Sequence, residues 1–85
     1  MKVIYELQAC APCPVASATD VYQLTVRSDH MIEVERINAA VERLTKEAIF
    51  QEDLTELLAK MLDATSESIG WHSGVKVTCT SEPIK

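Results

Sequence analysis

The chain reads as an α+β domain, an antiparallel sheet with two helices packed on one of its faces. Two observations predict this. Apolar residues alternate with a period of two over residues 3–8, 21–27 and 75–80. Between the second and third of these runs the period turns helical twice in succession. The resulting order is β-β-α-α-β, with a short extra strand around residues 68–72 as an option.

In the first run Val3, Tyr5 and Leu7 share one face, and Lys2, Glu6 and Gln8 share the other with Ile4. That is a half-buried strand. Residues 9–19 are rich in Ala, Pro, Ser and Thr and carry Pro12 and Pro14, so they read as a long loop. Tyr22, Leu24 and Val26 define the next strand, and the two strands make a hairpin with a functional tip. Ser28-Asp29-His30 is a turn. From about Glu33 the residues Ile37, Val41, Leu44 and Ala48 recur at helical spacing, with Glu33 and Glu35 early and Arg43 and Lys46 late, as the helix dipole favours. A second helix over residues 51–64 puts Leu54, Leu57, Leu58, Met61 and Leu62 on one face. The junction at Ile49-Phe50 contains neither Gly nor Pro and must be tight. Residues 65–73 look irregular, and Val75, Val77 and Cys79 mark a closing strand. The other sheet face, with Ile4 and several threonines, is mixed enough to line a barrel built from several subunits.

Eighty-five residues allow one small domain, residues 1–85, whose modest core invites oligomerisation. Thirteen acids against eight bases give a formal charge of −5, which disfavours coating of nucleic acid. The acidity is local, since residues 30–65 hold eight of those acids and four of the bases. Lys2, Arg27, Lys76 and Lys85 remain available to form basic patches in an assembly. No apolar run approaches the roughly 20 residues of a membrane-spanning helix. The first ten residues, from Met1, do not read as a signal peptide. Three cysteines are an odd number for a disulfide framework, so the expected compartment is a reducing cytoplasm.

Chemistry concentrates at Cys13 and Asp20. A thiol and a carboxyl side by side can attack an electrophilic carbon and manage the accompanying proton. Downstream, Glu52 and Asp53 open the second helix, where the dipole favours the ionised form. Each of these residues also has a plain structural role open to it: an inert loop thiol, a turn-shaping Asp, a helix-start acid.

Taken together in this order, Cys13-Pro14-Val15, Asp20 and Phe50-Gln51-Glu52-Asp53 resemble the tunnelling fold (T-fold), in particular its nitrile-processing branch. That branch holds 7-cyano-7-deazaguanine reductase and the QueF-like archaeosine synthase, an amidinotransferase. The resemblance runs from about Cys13 to Glu82, with a shorter stretch between Thr65 and Gly74 than the family's third strand. It implies a ββααβ(β) T-fold that oligomerises into a barrel, with sites between subunits. It further implies that Cys13 adds to the nitrile of 7-cyano-7-deazaguanine as a thioimide and that Asp20 donates and accepts the proton. Glu52 would hold the amidine-like edge of the base through two charge-assisted hydrogen bonds, with Gln51 beside it as a further substrate-binding group.

The departures from the family pattern select the branch. Residues 33–38 read Glu-Val-Glu-Arg-Ile-Asn, which keeps the first Glu of the reductase's cofactor segment and loses both lysines. An acid at position 35 argues against NADPH, so no cofactor is expected. Gln51 replaces the family's His and cannot titrate. Without hydride, the thioimide is left to ammonia, giving a formamidine, or to water, giving an amide. The amidine-forming branch therefore fits better, acting on the base free or within tRNA or DNA and drawing on an ammonia donor. An NADPH-dependent nitrile reductase and a non-catalytic purine- or pterin-binding module are the alternatives. Cys10 and Cys13 form a Cys-x-x-Cys that could shield the nucleophile as a disulfide. Zinc needs about four ligands, and only Cys79, His30 and His72 remain to complete a set, so no metal is expected. Cys79 reads as core. Trp71 and His72 read as core or interface residues, with cover of the base ring as the alternative.

Overall fold

A computed structural model describes residues 1–83; Lys85, expected in a basic patch, lies outside them. The elements are β1 (Val3–Pro12), β2 (Thr19–Ser28), α1 (Val34–Thr45), α2 (Gln51–Leu62), β3 (Thr65–His72) and β4 (Val75–Ser81). The strands form an antiparallel sheet in chain order, which leaves β1 and β4 as its edges. Both helices are inserted between β2 and β3 and cover one face.

The first two strands run further than alternation of large apolar residues indicates. Ala9 and Ala11 continue the inward face of β1, both buried, and pair with Tyr22 and Asp20. Pro12 closes the ladder opposite Thr19, which an edge strand tolerates because the missing N–H faces no partner. The connection thus shrinks from residues 9–19 to residues 13–18, and Asp20 sits in β2 rather than in a loop.

The stretch expected to be irregular, with a short strand over residues 68–72 as an option, is a full strand, β3. Its inward residues are Ser66, Ser68 and Gly70, all buried and none large, so the hydrophobic alternation that announces a strand is missing. Ser73 and Gly74 join β3 to β4 with φ of 49° and 83°. Two consecutive positive φ values are those of a type I′ turn, the hairpin turn whose twist matches its strands.

On the helical layer, Ile37, Ala40 and Val41 of α1 and Leu54, Leu58 and Leu62 of α2 meet Tyr22, Leu24 and Val26 of β2 in one core. Truncating one of these leucines to alanine removes about 2–5 kcal/mol. The helices are slightly shorter than expected: Ala48 falls beyond α1, and Leu57 is largely exposed rather than on the buried face. The second helix stops at Asp63, which adopts a left-handed conformation (φ 50°, ψ 50°) and donates its N–H to the Ala59 carbonyl. This is the terminating geometry usually given to glycine.

Candidate active site

Cys13 begins the tip between β1 and β2. Its N–H donates to the Ala18 carbonyl at 2.9 Å, which closes the tip and fixes where the thiol leaves the sheet. Asp20 lies on the helix-covered face of β2, part-exposed at the end of the sheet. Two residues on, and therefore on the same face, the buried Tyr22 donates its hydroxyl to Asp20 Oδ2 at 3.2 Å. Burial, with the Asp20 carboxylate adding to it, pushes the Tyr22 phenol above its ordinary value, so it stays a donor.

The first turn of α2 supplies the opposite wall. Phe50 precedes the helix with extended backbone and half its surface exposed. Gln51 turns inward and is only 2% exposed. Its amide nitrogen donates to the Ser68 carbonyl (3.2 Å), the Ser68 hydroxyl (3.1 Å) and the Val77 carbonyl (3.0 Å). Gln51 Oε1 accepts from His72 Nε2 at 2.7 Å. Thr55, one turn further, bonds both the Gln51 carbonyl (2.7 Å) and the Ser68 hydroxyl (2.6 Å). Glu52, next to Gln51, stays exposed.

Between these walls lies a cavity of about 500 Å³, within the usual range for a small-molecule site. Cys13, Asp20, Glu52 and His72 border it, with Phe50 and Tyr22 supplying aromatic surface and Val77 and Cys79 the wall on β4. Burial and the Glu52 carboxylate push Cys79 up, against a smaller opposing pull from the Ser68 hydroxyl, so Cys79 is held as a neutral thiol and a poor nucleophile. A larger hollow of about 630 Å³ opens at the far end of the sheet. Its charged residues are Arg27, Asp29, Asp63 and Glu82, with no thiol and no ring to stack a base.

No protein-family model matches the sequence, and no curated protein matches it. Among solved structures the chain is similar to the archaeosine synthase QueF-Like, determined in its apo form. The TM-score is 0.82 at 18% identity, over 96% of this chain and 92% of that one. The fold is the QueF-like T-fold. At this identity the likeness fixes the arrangement of strands and helices and leaves the chemistry to the residues.

On this T-fold, Cys13, Asp20, Gln51 and Glu52 border one cavity although they come from the β1–β2 tip, β2 and α2. Cys79, expected in the core, is instead part of the cavity wall. Of the pair Trp71 and His72, adjacent in β3 and so on opposite faces, only His72 reaches the cavity; Trp71 is 65% exposed on the other face. Cys10 is exposed between the inward-facing Ala9 and Ala11, so it points away from the cavity that Cys13 borders. All three cysteines are free thiols. Among the described residues no three of His, Cys, Asp and Glu cluster as a metal site would require. Tyr22 and Phe50 line the cavity although sequence reading assigned Tyr22 only a core place and Phe50 only a place in the motif opening α2. The signal for Tyr22 was its place two residues after Asp20, which in a strand means a shared face.

Proposed function

We propose that this chain is a QueF-like enzyme that captures the nitrile of 7-cyano-7-deazaguanine as a thioimide on Cys13 and converts it with ammonia to a formamidine. The observation that carries the reading is the meeting of Cys13, Asp20 and Glu52 around one cavity large enough for a bicyclic base. The archaeosine synthase that shares the fold supports the same substrate class. Asp20 takes the thiol proton as sulfur bonds the nitrile carbon and passes it to the nitrile nitrogen. Tyr22, donating to Oδ2, steadies the carboxyl for that exchange. Glu52 accepts the two N–H groups of the guanidine-like edge. The Phe50 ring offers apolar surface to the base plane.

Ammonia is preferred over hydride because Glu35 and Asn38 stand where lysines would meet dinucleotide phosphates. The reading extends to a base held free or in a polynucleotide, and to an oligomer whose subunits share sites. Intact mass after incubation with 7-cyano-7-deazaguanine is the test. Wild type and Cys79→Ala should gain the mass of the base, and Cys13→Ala should not. Ammonium or NADPH is then supplied to the adduct: amidine is the expected product with ammonium. An amine formed with NADPH consumption would make the chain a nitrile reductase. Binding of the base with no adduct would make it a non-catalytic module.

A further inference from the structure

The bond between Gln51 and His72 has only one possible polarity. Gln51 Nε2 faces two backbone carbonyls, of Ser68 and Val77, at 3.2 and 3.0 Å. A carbonyl only accepts, so the amide cannot be turned round without setting oxygen against oxygen. Gln51 Oε1 is thereby directed at His72 Nε2, 2.7 Å away, and has nothing to donate. His72 Nε2 carries the proton. In the neutral ring Nδ1 is then the nitrogen with the free lone pair, and among the described residues no hydrogen bond occupies it.

The imidazole also shares the cavity with the acid of the pair. Its ring centroid is 6.0 Å from that of Tyr22, whose hydroxyl holds Asp20. The β2–β3 ladder ends at Tyr22↔Gly70, and just past that end Asp20 and His72 both border the cavity. Of the groups around this hollow that can exchange protons, addition of the nitrile uses the Cys13 thiol and the Asp20 carboxyl, and it leaves His72 unused.

We infer that His72 is the proton acceptor of the second step, in which an amine-type nitrogen nucleophile displaces Cys13; this rests on the thioimide reading above. As the nitrogen bonds the thioimide carbon, the carbon–sulfur bond breaks with its electron pair passing to sulfur. One proton of the attacking nitrogen goes to His72 Nδ1. Cys13 leaves as thiolate, imidazole becomes imidazolium, and the product is a neutral amidine. Return of that proton from the imidazolium to the Cys13 sulfur restores the starting site. Histidine suits the role, being able to take and give back a proton near neutral pH.

The test separates the steps. Adduct is formed first on wild type and on His72→Gln, then mixed with ammonium while amidine release is followed. Release from His72→Gln should slow about 100-fold more than adduct formation does, with partial rescue by added imidazole, as loss of a general base predicts. Equal slowing of both steps, or none, overturns the inference. Nitrogen-resolved NMR of wild type supplies a second measurement independent of turnover. It should show the Nε2–H tautomer of neutral His72, and the Nδ1–H tautomer would overturn the inference even if the variant misfolds. Absence of any adduct on wild type would instead overturn the thioimide reading, and this step with it.

Discussion

Gly70 lies flat against the ring of Tyr22. A Cβ at position 70 would stand 2.6 and 2.7 Å from two carbons of that ring and 3.2 Å from Gln51 Oε1. The bare backbone of β3 is what lets Tyr22 reach Asp20 on one side and His72 accept its place on the other.

Gly70→Ala therefore acts on the site through Tyr22. The methyl pushes the ring from β3 and costs about 1–3 kcal/mol, the range for overpacking a well-filled core. Chemical denaturation should report that loss, and the rate of adduct formation at Cys13 should fall with it as the Asp20 contact is displaced. Unaltered stability would mean that the ring has room to move.

Tyr22→Phe removes the donor to Asp20 and should cost about 0.5–1.5 kcal/mol near neutral pH. Its pH dependence has a definite sign. Folding raises the Tyr22 phenol above its ordinary 10.0, chiefly by burial and then by Asp20. The neutral phenol's contribution is complete below that pH and is lost as pH climbs through the folded-state value. Urea unfolding at roughly pH 8 to 11 should show wild type ahead of Tyr22→Phe by a constant margin at first, and that margin shrinking once pH passes the ordinary phenol value. A difference that stays flat throughout would place Tyr22 in a far more solvated setting.

Glu52→Gln should weaken binding of the deazaguanine base by about 1.5–3 kcal/mol, the worth of hydrogen bonds to a charged group. The fold should survive, since Glu52 is exposed and its neighbours on α2 supply the packing. Calorimetry showing equal affinity would reduce Glu52 to a helix-start acid.

Assembly follows from the sheet. The ten-residue β1 and the seven-residue β4 each leave one side unpaired, a row of donors and acceptors that recruits another strand. The face away from the helices exposes Ile4, Val21 and Trp71, apolar side chains that a neighbouring subunit could cover. Sedimentation should find a ring-sized oligomer at micromolar concentration. A stable monomer would rule out sites completed by a neighbour.

How much of this was legible in the sequence depended on side-chain size. Cys13, Asp20 and Glu52 are visible because their chemistry is rare and their order in the chain is informative. The two helices were visible because Leu54, Leu58 and Leu62, like Ile37 and Val41, repeat at helical spacing. The third strand was legible only as an optional short strand over residues 68–72, because its buried side uses Ser66, Ser68 and Gly70, none of them a large apolar residue. Without the full strand, His72 had no assigned face, and the polar network beneath the cavity had no visible partners. Gln51 looked like a lost histidine, whereas the histidine that meets it comes from a strand 21 positions away in the chain.

The buried amide of Gln51 also settles an angle. Contact through leucines alone does little to set the roll of a helix on a sheet, since the hydrophobic effect is non-directional. Gln51 is joined to β3 and β4 by separate bonds, so rolling α2 would strand a carbonyl on each strand without a partner. The residue after it inherits that restraint. Glu52 is aimed over the cavity by its neighbour's grip on the sheet, and the helix behaves less like a lid than like a sighted instrument.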